Sequence, residues 1–239
     1  MWCDVIDLCD FYKNGLGKTA QTLISHCIRG VWPNVSNQRV LGLGYAIPFL
    51  DIFQNEAERT IAVMPAQQGF LHWPGEESGR VILCAEEEIP LPDVSFDKIL
   101  LVHALECTEQ LRPMLREVWR ILADGGRLVV VVPNRRGIWA RLDHTPFGNG
   151  NAYTPAQAQH LLRDTLFMPI RTERALFMPP VRSRLIVASS RVWEEVGKRT
   201  FPSISGVLIL EFRKQIHATT SDMAKSRSRR QHYKVIAGS

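Results

Sequence analysis

The sequence predicts an α/β fold with a mostly parallel sheet covered on both faces. Short apolar runs recur down the chain, each separated from the next by a turn and a helical pattern. Two of those runs, Asp97 to Val102 and Arg127 to Pro133, are almost continuously apolar, as strands buried on both sides are. The first run ends in a glycine pair, Gly42 and Gly44, where backbone leaves a buried strand.

The elements follow in order. Residues 4 to 30 are helical, with Leu16, Ala20, Leu23, Ile24, Cys27 and Ile28 at spacings of three and four, and Trp32-Pro33 ends the pattern. Val40 to Leu43 is the first strand. Pro48 suits the first position of a helix, where no amide donor is needed, and Phe49 to Glu58 is expected to continue it. Thr60 to Met64 and Val81 to Leu83 are the next strands. Asp97 to Val102 is the fourth. Leu111 to Leu122 is an amphipathic helix that Gly125-Gly126 is expected to stop. Arg127 to Pro133 is the fifth strand. Thr154 caps a helix that runs to Arg163, with Pro155 in its first turn. Arg171 to Met178 is a sixth strand, Arg182 to Arg199 is helical, and Gly206 to Ile216 is a seventh strand.

Of 239 residues, 45% are hydrophobic, enough for one domain with a substantial core. No run is long enough and apolar enough for a membrane span, and the acidic N-terminus does not read as a signal peptide. The cysteines are odd in number and no Cys-x-x-Cys occurs, so neither a zinc site nor a disulfide framework is expected, and the simplest location is the cytoplasm. Cys84 and Cys107 read as packing residues. The net charge is +5, but from Arg213 onward seven Lys or Arg meet one Asp, so the rest of the chain carries about −1. The expected organisation is an N-terminal helical segment (1–34), an α/β domain (35–217) and a basic, disordered tail (218–239). Nucleic acid is not an expected partner except through that tail.

In a sheet of this kind the ligand sits beyond the carboxyl ends of the strands, where strand order reverses. The ordered combination of Ile89-Pro90-Leu91-Pro92-Asp93-Val94-Ser95-Phe96-Asp97, an apolar strand, His103-Ala104-Leu105-Glu106, Leu115-Arg116-Glu117-Val118-Trp119-Arg120-Ile121-Leu122 and Asp124-Gly125-Gly126 resembles the class I S-adenosylmethionine-dependent methyltransferases. The likeness covers roughly residues 38 to 135. It implies a seven-stranded, three-layer Rossmann-like sheet, mostly parallel with an antiparallel last strand, and S-adenosylmethionine as cofactor. It places Gly42, Gly44, Tyr45 and Ala46 beside the methionine part, Met64 and Pro65 beside the ribose, and Ala85, Glu86 and Glu87 beside the adenine. His103, Ala104, Leu105 and Glu106, at the end of the fourth strand, would close the pocket.

The pattern departs from the family's in its glycine loop. The family's acid falls at Gly42, its later glycines at Ala46 and Pro48, and the ribose-binding acid at Met64. After the fifth strand, Asn134, Arg135, Arg136, His144 and Tyr153 are candidates for the substrate side: the arginines for a carboxylate or phosphate, His144 as a base. The alternatives are solvated arginines and a surface or capping histidine, and His103 ordering its turn. Tyr45, Trp73 and Trp139 line a pocket or pack in the core. No catalytic residue is assigned and no metal site is expected. Two readings stay open: methyl transfer to a small molecule or side chain, and a catalytically silent relative serving as a binding or regulatory module. The missing acids favour the second, the intact later motifs the first. A nicotinamide-dependent enzyme is a weaker rival, since no third glycine and no acid ending the second strand are present.

Overall fold

The computed structural model describes residues 4–75 and 79–216, so the basic tail expected at 218–239 lies outside the described residues. The elements are α1 (Val5–Lys13), α2 (Gly15–Val31), β1 (Arg39–Gly44), α3 (Ile47–Leu50), β2 (Arg59–Pro65), β3 (Val81–Cys84), β4 (Phe96–Val102), α4 (Leu111–Ile121), β5 (Leu122–Pro133), α5 (Pro155–Asp164), β6 (Phe167–Ala175), α6 (Arg184–Ala188), α7 (Ser190–Thr200) and β7 (Val207–Lys214).

The seven strands form one sheet in the order β3-β2-β1-β4-β5-β7-β6. Pairs among β1 to β5 are parallel, and β7 runs antiparallel between β5 and β6. The chain moves outward from β1 to β3, then returns across β1 to β4, so the order reverses between β1 and β4. Alternate strand residues divide the core. Val40, Met64, Leu100, Val102, Val129 and Ile209 pack with α1, α2 and α3 on one face. Leu41, Val63, Leu101, Val130 and Leu208 pack with α4 and α5 on the other.

Local chemistry sets the element ends. Asn14 divides the expected N-terminal helix in two: its amide closes α1 on the Phe11 carbonyl, and its side chain caps α2 by accepting from Gly17 N at 2.9 Å. Thr154 and Gln157 form a reciprocal capping box at α5. Two sequence expectations are corrected. The helix after β1 covers only Ile47–Leu50, because residues 50 to 56 close successive i→i+3 turns. There Asp51 accepts from Trp73 Nε1 at 2.8 Å and Glu56 accepts from Val35 N at 2.6 Å, so side chains pull this segment toward neighbours instead of along a helix axis. Gly125-Gly126 do not end α4. The helix stops at Ile121, Leu122 already pairs with Phe96, and residues 123 to 126 loop out before Arg127 pairs with Lys98.

Among the described residues no helix is long and apolar enough to cross a membrane, and no group of His, Cys, Asp and Glu is spaced to hold a metal ion.

Candidate active site

At the reversal point, β1 and β4 end side by side. Gly44 has φ +83°, and a Cβ there would lie 2.5 Å from the Val102 carbonyl oxygen and 2.9 Å from the Ala104 Cβ. This glycine is required by the approach of β1 to β4 and by its own left-handed backbone. Gly42 answers a second demand: its Cβ would meet Ala46 at 2.6 Å and Leu50 at 2.8 Å, so it seats α3 on the sheet. The turn after β4 is held by His103, also left-handed at φ +49°, a conformation histidine tolerates better than most residues.

The space facing these turns is divided in two. The end nearest Gly44 is filled. Tyr12, from α1, stacks on Tyr45 with ring centroids 5.7 Å apart and an interplanar angle of 12°. Its hydroxyl lies 2.7 Å from His103 Nε2, and His103 Nδ1 lies 3.1 Å from Glu106 Oε1. Phe49 meets the Tyr12 ring edge-on at 5.6 Å, and Phe147 meets His103 at 5.2 Å. All of these side chains are buried. Burial, with smaller contributions from Tyr45 and Glu106, pushes the Tyr12 phenol well above its ordinary titration range, and burial likewise raises Tyr45. Glu106 Oε2 is buried with no partner.

The other end is open. A recess of about 200 Å³ is lined by Asp4, Pro65, Gln68, Glu86, His103, Ala104 and residues of the following turn. Gln68 crosses from the β2 side to the β4 side, its amide nitrogen donating to the His103 carbonyl, while its Oε1 is buried without a partner. Its own carbonyl accepts from Val5 N at 2.7 Å, which pins the start of α1 to the rim. The Thr108 hydroxyl donates to Glu86. Burial outweighs that bond and raises the Glu86 carboxyl above the usual carboxylate range.

The residues singled out from sequence are distributed as follows. Pro65, Glu86, His103 and Ala104 come together at the recess. Tyr45, Ala46, Met64 and Leu105 are buried in the apolar clusters, while Ala85 and Glu87 are exposed beyond β3. Trp73 and Trp139 are likewise core residues; Trp139 Nε1 donates to Met178 O at 2.8 Å. Asn134 is a strut, its amide donating to Ser203 O at 3.0 Å and Ser205 O at 2.9 Å. Arg135 and Arg136 are exposed. His144 sits at the surface with Nε2 3.3 Å from Pro180 O. The Tyr153 hydroxyl donates to Leu105 O at 3.3 Å, and burial pushes its phenol up to about 12. Cys107, expected as a packing residue, is disulfide-bonded.

Sequence reasoning missed Tyr12 and Gln68. Tyr12 belongs to the apolar stripe Leu8, Phe11, Tyr12, which carries an ordinary core signal. Gln68 lies in a segment with no periodicity. Glu106, expected with His103 at the pocket edge, meets the imidazole through its spacing of three on a tight turn.

Comparison with known proteins agrees with this fold. Residues 41–130 match the family model described as a methyltransferase domain. No curated protein sequence matches. Among solved structures, an S-adenosylmethionine-dependent methyltransferase of Thermotoga maritima, described as a possible histamine N-methyltransferase, aligns with a TM-score of 0.61 at 16% identity, covering 88% of this chain and 96% of that one. An S-adenosylmethionine-dependent methyltransferase of Mesorhizobium loti gives 0.55 at 16% identity over 79% and 96%. The Burkholderia thailandensis 1,6-didemethyltoxoflavin-N1-methyltransferase, bound to its substrate and S-adenosylhomocysteine, gives 0.52 at 16% identity over 84% and 78%. At these identities the structural matches speak for the fold, and the family model speaks for the domain. Residues 41–130 thus match a methyltransferase-domain model, and the chain shares the fold of the S-adenosylmethionine-dependent methyltransferases it aligns with.

Proposed function

We propose that the chain is a methyltransferase that takes the nucleoside half of S-adenosylmethionine in the recess between the ends of β2 and β4. The half beside Gly44 is reached when α1 lifts. The observation that carries this reading is the division of the crevice. Small-ligand pockets usually measure about 300–1,000 Å³, and the recess holds about 200 Å³. What fills the remainder is Tyr12, a residue of the N-terminal helix and not of the sheet.

The residues at the open end suit a nucleoside. Met64 and Pro65 offer no carboxylate where the sugar would lie, but the unpartnered Gln68 Oε1 is an acceptor for a hydroxyl, and Glu86 is a second one. When bound, the cofactor supplies a methyl group already activated on a sulfonium. The protein's task is then to align the acceptor and to hold its proton. His103 is built for the second part. Glu106 fixes the ring through Nδ1, leaving Nε2 toward the position the Tyr12 hydroxyl now occupies. The acceptor is a small molecule or a side chain.

Calorimetric titration with S-adenosylhomocysteine tests this on the native chain, Tyr12→Ala and Gln68→Leu. Tyr12→Ala is expected to bind at least about tenfold more tightly than the native chain, because the helix no longer competes. Gln68→Leu is expected to bind more weakly. No heat from folded Tyr12→Ala at millimolar ligand overturns the proposal. That result would favour the second reading, a closed methyltransferase fold used as a binding module, which the packing around Tyr12 also suits.

A further inference from the structure

Of the fifteen large apolar side chains left exposed among the described residues, seven fall between residues 181 and 204. Leu185 on α6 is 82% exposed, and Phe201, just past α7, is 61% exposed. Val192, Trp193 and Val196 stand together on α7, the first and last one helical turn apart, and Ile204 follows in the turn leading to β7. The opposite side of α7 is spent on the protein: Gly197 sits against the Phe177 ring, and Glu194 accepts from Phe177 N at 2.6 Å.

The polar residues of this segment are mostly basic. Arg182, Arg184, Arg191, Lys198 and Arg199 stand against Glu194, which is turned inward, and Glu195, which faces Arg199 at 3.7 Å. The chain before Arg213 carries a net charge near −1, so this positive, apolar surface is local and not part of a general basicity. A Trp and a Phe among branched aliphatics, rimmed by Arg and Lys on short helices, is the composition of a surface that lies in a lipid headgroup layer. A second copy is a poor occupant, because a two-fold interface would set the same excess of positive charge against itself. A surface at once apolar and negative on its outside is what the patch complements.

We infer that residues 181–204 dock onto the surface of a bilayer containing anionic phospholipid. Val192, Trp193, Val196 and Phe201 enter the headgroup boundary while the exposed Arg184, beside Leu185, and Arg199, on the Val192–Val196 side of α7, meet lipid phosphates. The same segment is tied to the loop after β5 through Asn134 to Ser203 and Ser205, and through His144 to Pro180. Docking therefore holds that loop close to the lipid.

Cosedimentation of the full chain tests the inference, with vesicles of phosphatidylcholine alone and vesicles also containing phosphatidylglycerol. Binding is expected only to the second, decreasing as salt is raised. The double variant Trp193→Ser/Phe201→Ser is expected to lower the bound fraction about tenfold or more, and Arg184→Glu/Arg199→Glu several-fold. Every variant keeps residues 213–239, so binding that survives in both would belong to the basic C-terminal stretch and would overturn the assignment. Absence of binding to the anionic vesicles would overturn it too. So would a concentration-dependent dimer, seen by sedimentation velocity and abolished by Trp193→Ser/Phe201→Ser, since the patch would then be an interface between copies. If the first double variant fails to fold, as judged by circular dichroism, the charge-reversed variant decides.

Discussion

The two ends of the crevice share the end of β4 and differ in what lies on it. At the Gly44 end, backbone approaches backbone and aromatic rings close the space, and apart from the buried Glu106 Oε2 the polar side chains there are committed to one another. At the Gln68 end, Gln68 and Glu86 line a recess, and the buried Gln68 Oε1 has no partner. The difference teaches that a glycine turn at a switch point does not by itself mark a ligand. The unspent hydrogen-bonding capacity next door is the stronger sign.

The largest effect is expected from attacking the closed end. Gly44→Val forces a branched residue into a left-handed conformation and drives its Cβ onto the Val102 carbonyl. A loss of about 3–5 kcal/mol is expected, seen as a fall in Tm of about 10 °C. An unchanged Tm with altered ligand binding would show that the turn faces the ligand and not β4. Tyr12→Phe is the milder cut. It keeps the stacking on Tyr45 and removes the bond to His103 Nε2, costing about 1 kcal/mol. Denaturant melts with unchanged slope would measure it, and a null effect would mean that the hydroxyl does not hold α1 down.

The smallest effect is expected at the open end and depends on pH. Burial raises the folded-state pKa of Glu86 above its unfolded value. Ionisation is therefore disfavoured in the folded chain. The stability contribution of the neutral form is fully present below the unfolded pKa, about 4.3, and is lost as pH rises through the folded value. Glu86→Gln should accordingly raise Tm by about 2 °C at pH 7 and leave it unchanged near pH 4. Equal gains at both pH values would show that the carboxyl is not desolvated.

Much of the fold could be read in advance, for one reason: strands covered on both faces need continuous apolar runs. Ile99 to Val102 and Leu128 to Val132 are such runs, and both are fully interior. What escaped was set by side-chain competition, as where Asp51 and Glu56 draw residues 50 to 56 away from a helix, or by pairing, as where Leu122 joins Phe96 ahead of the glycines. The candidate site was half legible. Pro65, Glu86, His103 and Ala104 sit on strand ends whose order the motifs gave away. Tyr12 reaches His103 across 91 residues of chain, and no local pattern announces a contact of that span.

Gln68 lines the recess, holds the His103 carbonyl with its nitrogen and carries a buried, unpartnered oxygen, while its backbone anchors the first residue of α1. A guest that engages Gln68 thus acts on the very residue that fastens the N-terminal helix and braces the imidazole beneath Tyr12. Reciprocity then requires that whatever frees the helix must also change the guest's affinity, by the same factor in both directions.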